Sequence, residues 1–512
     1  MNTEPITVSG GGLVGSLVAL ILARRGYRVT LLERWLDFRA DKSAAPKSIN
    51  LVLTSRGLRA IEQMGGGLKD EMLELAVPVT GRIMHQTNGT EVFQPYGKDD
   101  SEHNHSISRL GLNQFLLDKA EQAGVKVHFE VEVKDYDLER NVLICDKGVP
   151  DKYSGRKGVC TTPERIEIPV QGRLIACDGQ TSQIRRCLQQ RGHLTSSAEF
   201  LPAGYMEMTF PKRESAGVLA RHGLHIWPRG THFIMALSNL DGSFTGTLYM
   251  AKDGPESFAA LKAGGDAAVR RFFEANYGDA IPLMGGLGKI CEEFAANPVG
   301  RLGTVRTDKW HVGGKVLIMG DASHGIVPFF GQGTNSGFED CYILSTLLDE
   351  AGCCGLGATS AGVNAARLER QYAQIFGVFE LRRKLNADAI ATMALDNYVE
   401  MMARVGDDTF LLKKAIENRI EKAMPLKYRS RYAMVCYGGL GNVSYFAAEQ
   451  LGKVQVEILD ELAADPAVRV AGDVSLARAE RLIDAKLTPL VRRFKLDLAT
   501  VSHDLLSHAT KL

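Results

Sequence analysis

Ile6-Thr7-Val8-Ser9-Gly10-Gly11-Gly12-Leu13-Val14-Gly15-Ser16-Leu17-Val18 decides the fold. A short β-branched run enters a G-x-G-x-x-G turn, and an apolar helical pattern follows at once. The three fingerprint glycines do different things. Gly10 permits the tight turn, Gly12 lets a pyrophosphate approach the backbone, and Gly15 lets helix pack on strand. Leu13 and Val14 open the helix, whose free N–H groups and positive dipole end face the phosphates. Arg24-Arg25-Gly26 closes it, and Tyr27 to Leu32 reads as the second strand. Glu33 follows 23 residues after Gly10, where a carboxylate takes the ribose hydroxyls of an adenosine. The unit is a βαβ dinucleotide-binding motif.

The rest of the chain must be fitted around this unit. At 512 residues it is too long for one core, so two or three domains are expected. Lys and Arg total 61 against 60 Asp and Glu, a net charge of +1 that gives no footprint for nucleic acid. No secretory leader and no apolar run of spanning length is read, which predicts a cytoplasmic protein without a membrane span. Nine cysteines are scattered with no Cys-x-x-Cys pair and no histidine cluster at metal spacing. Free thiols and no metal are expected.

Residues 77–97, with an Asn88-Gly89 turn, read as a β-hairpin. Residues 125–175 and 200–250 are strand-rich, 265–280 helical, Val316 to Met319 a buried strand, and Ser336 to Glu350 a helix. From about residue 364 the pattern is almost wholly helical. The expected class is α/β: a Rossmann-like dinucleotide-binding domain (1–76, 98–198 and 290–365), interleaved with an antiparallel β-sheet substrate domain (77–97 and 199–289), and a C-terminal helical region (366–512).

Two further segments carry chemistry. Ile175-Ala176-Cys177-Asp178-Gly179 runs a strand into an Asp-Gly turn, with Ser182 and Arg185 beyond it. Alone it is an ordinary turn. Val316 to Met319 delivers Gly320-Asp321, and a loop with Gly331, Gly333, Thr334 and Asn335 leads into the next helix. An Asp there can accept a hydroxyl, and N–H groups at a helix start can polarise a carbonyl. His324 is read as structural.

The three motifs, in this order and spacing, resemble the single-component (class A) flavoprotein hydroxylases across almost the whole chain. The resemblance implies bound FAD, with Gly10, Gly12, Leu13, Val14, Gly15, Glu33, Arg109, Asp178, Asp321, Gly331, Gly333, Thr334 and Asn335 around it. It also implies NADPH as a transient hydride donor without a second nucleotide-binding domain. NADPH against NADH, and monomer against homodimer, stay open.

Other segments resemble the kynurenine 3-monooxygenase family more closely: Gly81-Arg82-Ile83-Met84-His85, Gln94-Pro95-Tyr96-Gly97, Ser106-Ile107-Ser108-Arg109, Leu224 to Arg229, Asn239 to Thr245, Pro328 to Gly333 and Asn397 to Met401. This implies that Arg82, Tyr96, Asn397 and Tyr432 hold the amino-acid end of an aromatic amino acid, and that Phe329 and Phe330 wall its ring. Arg supplies a planar fork for a carboxylate. Read alone, Arg82 is a surface charge and Asn397 a helix residue. The implied reaction is hydroxylation of L-kynurenine at the ring 3-position with NADPH and O2 through a C4a-hydroperoxyflavin. Lys47 stands where the family has Arg, and Thr334 where it has Met. Both leave room for a substituted kynurenine or another aromatic amine or acid. A non-oxygenating flavoprotein and a flavin-binding scaffold are the rival classes.

Overall fold

The computed structural model describes residues 4–39, 49–148, 163–215, 217–353, 365–403, 408–439 and 442–501. Lys47 lies outside them. The glycine-rich unit forms as its residues dictate: strand Pro5–Ser9, helix Leu13–Arg24, strand Arg28–Leu32. Strand Pro5–Ser9 sits inside a six-stranded sheet, pairing in parallel with Arg28–Leu32 on one side and Arg173–Ala176 on the other. Strand Val316–Ile318 extends the sheet beyond Arg173–Ala176. The strands that deliver all three motifs are parallel, so the motifs leave the same C-terminal edge of one mostly parallel sheet, the edge where α/β sheets bind ligands. Buried parallel strands are apolar on both faces, and Val8, Leu31, Leu174 and Leu317 are all fully buried.

A second, seven-stranded sheet runs in the order Gly300–Thr307, Ser196–Phe210, Phe244–Ala251, Phe233–Ser238, Gly223–Pro228, Gly81–His85, Glu91–Pro95. The hairpin Gly81–His85 with Glu91–Pro95 joins it through a parallel pairing that sets Leu224 beside Arg82 and Ile226 beside Met84. Both faces of this sheet are covered. Met84, Leu224, Ile226, Phe233, Leu237 and Tyr249 pack toward the C-terminal helices. Trp227, Ile234, Ala236 and Leu248 pack on the opposite face against helices Phe258–Asn276 and Gly286–Ala296. The period-2 alternation thus separates two cores rather than core from water. Strand Gly300–Thr307 carries the layer past the 199–289 segment read as substrate domain.

The C-terminal region is helical: Ala365–Ala403, Asp408–Ala423, Arg431–Tyr437 and Tyr445–Ala463. These helices close over the open face of the seven-stranded sheet. Among the described residues no helix is long and apolar enough to cross a membrane. The described cysteines are free, most of them buried, and no cluster suited to a metal ion occurs among the described residues.

Candidate active site

Two cavities bear on function, one at the C-terminal edge of the six-stranded sheet and one between the seven-stranded sheet and the C-terminal helices. The smaller, about 360 Å³, is lined by Gly10, Gly11, Gly12, Glu33, Arg109 and Asp178, among others. Gly10 has φ +100°, and a Cβ there would meet Cys177 O at 2.4 Å. A Cβ on Gly15 would strike Gly10 O at 1.8 Å. Around Gly12 nothing lies within 4 Å of a Cβ position, so the backbone is open on that side. Glu33 accepts from Gly11 N (2.6 Å) and Trp35 N (2.9 Å), and burial pushes its carboxyl above the ordinary value. Asp178 Oδ2 accepts from the N–H groups of Gln183 and Ile184, which begin a helix. Its Oδ1 is buried with no hydrogen-bond partner among the described residues. An unmatched carboxylate oxygen at a glycine-lined hollow is what a hydroxyl-bearing, phosphate-bearing ligand would satisfy.

Motifs two and three are stitched together. Arg185 donates to Ala322 O (2.6 Å) and Gln180 O (2.7 Å). Asp321 is exposed as the first residue of the short helix Asp321–His324, which follows strand Val316–Ile318 after Met319 and Gly320. Gly331 takes a left-handed φ of +64° and turns the chain into helix Gly333–Glu350. That helix begins at Gly333, three residues before the Ser336 start read from sequence. Thr334 is half-buried in its first turn. The Asn335 side chain is fully used: Nδ2 donates to Val52 O and Gly331 O, both at 2.8 Å, and Oδ1 accepts from Thr54 N. Only its backbone is left for a ligand.

The larger cavity, about 770 Å³, is lined by Arg82, Tyr96, Phe330, Asn397 and Tyr432 together with residues of the C-terminal helices. Five residues far apart in sequence are thus brought to one hollow. The Tyr96 and Tyr432 rings stack at 4.9 Å, and Phe330 continues the stack 5.7 Å from Tyr432. The Arg82 guanidinium lies 5.8 Å from the Tyr96 ring centre and 5.5 Å from that of Tyr432. Burial works against its charge, but the two phenols and Glu400 outweigh it and raise its pKa. Its Nε has no hydrogen-bond partner among the described residues. Asn397 Nδ2 donates to Phe329 O (2.5 Å), which leaves the amide oxygen as its free function. Phe329 itself is boxed by Tyr398, Tyr249 and Phe233 at 4.6, 5.2 and 6.1 Å.

Sequence reading missed several residues here. Asn113 donates to Gly11 O and lines the smaller cavity with Arg109; the i, i+4 spacing on one helix was the available signal. Asn104 donates to the Tyr432 hydroxyl across 328 positions, and no local pattern announces it.

Comparison with known proteins now bears on this geometry. The FAD binding domain family matches residues 3–352. The chain is 41% identical over 492 residues to a protein of Myxococcus xanthus named kynurenine 3-monooxygenase, spanning 96% of this chain and 97% of that one. A protein of the same name from Legionella pneumophila is 35% identical over 458 residues, spanning 89% and 93%. Among solved structures, tetrameric 2-methyl-3-hydroxypyridine-5-carboxylic acid oxygenase matches with a TM-score of 0.59 at 17% identity, covering 81% of this chain and 97% of that one. CtdE, in complex with FAD and a substrate, matches with a TM-score of 0.59 at 14% identity, covering 79% and 91%. These two likenesses concern the fold. The matched FAD-binding domain and the chain-long identity to its relatives together make this chain a member of the kynurenine 3-monooxygenase family of FAD-dependent flavoprotein monooxygenases.

Proposed function

We propose that the protein hydroxylates L-kynurenine at the ring 3-position, using NADPH and O2, in the cytoplasm. The observation that carries the substrate is the Arg82 guanidinium, set against the Tyr96 and Tyr432 rings in a cavity walled by Phe330. A buried cation with an unpartnered Nε and two phenols supplies donors for a carboxylate. The Asn397 oxygen, an acceptor, suits the adjacent ammonium. A free α-amino acid offers both groups on one carbon.

FAD, when bound, supplies the redox chemistry and the activation of oxygen. The residues for it are the glycine turn with Leu13 and Val14 for the pyrophosphate, Glu33 for the ribose, and Arg109, Asp178 and Asp321 for the remaining polar groups. The loop Gly331 to Asn335 presents backbone N–H groups at the start of helix Gly333–Glu350, where developing negative charge is favoured.

The protein's part in the reaction is orientation and exclusion of water. Phe330 holds the aromatic ring, with Met84, Ile226 and Met401 making the surrounding wall apolar, while Phe329, read from sequence as a second wall, does not line the cavity and accepts from Asn397 through its carbonyl. The aniline nitrogen already makes the carbon ortho to it electron-rich, so no strong protein base is required. Arg82, Tyr96, Tyr432 and Asn397 fix the far end of the molecule, and the ring position follows.

The test is NADPH oxidation by the purified holoenzyme with and without L-kynurenine, with the product identified by mass. A large stimulation with gain of one oxygen establishes the reading. Peroxide release without product removes it. No stimulation by a protein that retains FAD moves the substrate to a substituted relative of kynurenine.

A further inference from the structure

We infer that Asn104 is a positioning residue for substrate binding. By donating into the oxygen of the Tyr432 hydroxyl, it leaves the Tyr432 proton for the substrate carboxylate. The inference rests on the proposed reading of Arg82, Tyr96 and Tyr432 as the carboxylate site.

Asn104 begins strand Asn104–Ser108 and is fully buried. Its Nδ2 lies 2.9 Å from Tyr432 Oη. Its Oδ1 is buried with no hydrogen-bond partner among the described residues. A buried amide with an unsatisfied oxygen is a liability to the fold. Packing would be served better by an apolar side chain at this place. What the amide contributes is its N–H group, delivered to Tyr432.

The surrounding chain holds the two residues in register. Glu102, two residues earlier and fully buried, accepts from Arg429 (2.5 Å) and from Lys98 N (3.0 Å). A Cβ on Gly97 would lie 2.2 Å from Glu102 Cβ, so glycine there permits the turn. Residues 96–104 are thereby fastened to residues 429–432 at three points: Tyr96 on Tyr432, Glu102 on Arg429, and Asn104 on Tyr432.

A phenol has one proton and can accept through its oxygen. With Nδ2 donating into that oxygen, the Tyr432 O–H is turned toward its other neighbours, the Cys436 thiol and the Tyr96 hydroxyl, both weaker acceptors than the substrate carboxylate that would displace them. It then adds to the donors of Arg82 and Tyr96 instead of competing with the substrate for them. Asn104 touches no substrate and acts through Tyr432 alone.

The experiment is a double-mutant cycle on the holoenzyme, with L-kynurenine as the probe and KM, kcat and FAD content as readouts. Asn104→Leu is expected to raise KM about 5- to 10-fold, the scale of one hydrogen bond, with kcat within about twofold and FAD content unaltered. In a Tyr432→Phe background the same change should leave KM where Tyr432→Phe put it, because the accepting oxygen is gone. Asn104→Asp, which would accept the Tyr432 proton, should raise KM more than Asn104→Leu does. Effects of Asn104→Leu and Tyr432→Phe that simply add overturn the inference alone, as does a wild-type KM for Asn104→Asp. An unaltered KM in Tyr432→Phe removes the underlying reading of the carboxylate site, and the inference with it. Should Asn104→Leu fail to fold, Asn104→Ser is read through the same cycle.

Discussion

Arg56 Nη1 lies 2.7 Å from Glu339 Oε1, and both side chains are almost wholly buried. Arg383 pairs with the other oxygen of Glu339 and, at 2.6 Å, with Asp340. Asp340 in turn accepts from Gly320 N (2.9 Å) and His324 Nε2 (2.6 Å), at the turn that presents Asp321. In the other direction Arg56 donates to the carbonyls of Val435, Met434 and Val443, at the end of the helix that carries Tyr432. One buried ionic chain therefore joins the Gly320-Asp321 turn to the helix that lines the larger cavity. Burial pushes the Glu339 carboxyl up, but the two guanidiniums beside it hold it below the ordinary carboxylate value. Glu339→Gln leaves two buried cations short of one anion and is expected to destabilise the protein by about 3 kcal/mol. Urea unfolding of the holoenzyme, with flavin fluorescence as one probe, measures this, and flavin release should move to lower urea with it.

Arg82→Ala should raise KM for L-kynurenine by about 10- to 100-fold, the range of a charge-assisted hydrogen bond, while FAD content stays at the wild-type level. Arg82→Lys should recover only part of the loss, because a point charge cannot reproduce the planar fork. Full recovery by lysine would show that charge alone is read at this position.

The glycine turn, Glu33 and the two Asp-bearing turns were legible because their chemistry is local: a strand, a glycine pattern and a helix start occupy consecutive residues. Arg82, Tyr96 and Asn397 were legible only through family resemblance, since a lone Arg in a hairpin has no signature. Arg56 with Glu339 and Asn104 with Tyr432 were not legible at all. They lie 283 and 328 positions apart; the first pairing is set by helix Ser55–Glu62 packing on helix Gly333–Glu350, the second by how the C-terminal helices close over the sheet. Strand Gly300–Thr307 escaped for a different reason. Gly300 and Gly303 weaken its strand pattern, yet both are needed: a Cβ would meet the Tyr205 ring at 2.2 Å and the Phe200 ring at 2.6 Å. The sheet makes room for two aromatic rings with residues that disfavour strands.

Stability should fall as the solution is acidified from pH 6.5 toward pH 4. Burial first, with His225 and Arg229 adding to it, lowers His85 to about 4, and burial with Arg229 lowers His232 to about 4. Both are neutral in the folded protein, so the unfolded chain binds more protons between the two values and is favoured there. Each site contributes up to about 3 kcal/mol by pH 4. His85 shares a 2.9 Å hydrogen bond with His225, so that pair counts once. Glu421 acts in the opposite sense. Burial raises it to about 7, so its contribution is present at low pH and is lost as pH rises from 4.5 through 7. Urea midpoints at pH 5, 6 and 7.5 should rise across the lower interval, and His232→Gln should flatten that rise. Glu421→Gln should stabilise the protein at pH 8 and not at pH 4.

Gly57→Ala tests the loop that carries Gly331 to Asn335. A Cβ at residue 57 would lie 2.4 Å from Asn335 Oδ1. A flexible side chain would swing aside at little cost, but this amide is pinned by its bonds to Thr54 N, Val52 O and Gly331 O. Moving it releases the carbonyl of Gly331, whose left-handed φ sets the turn into helix Gly333–Glu350. The first N–H groups of that helix then lose their aim. FAD affinity should fall about tenfold or more, the equivalent of one well-placed hydrogen bond or slightly beyond. Apoprotein titration with FAD, followed by quenching of flavin fluorescence, measures the change. An unaltered affinity in a folded Gly57→Ala protein would mean that Asn335 does not hold the loop for the cofactor.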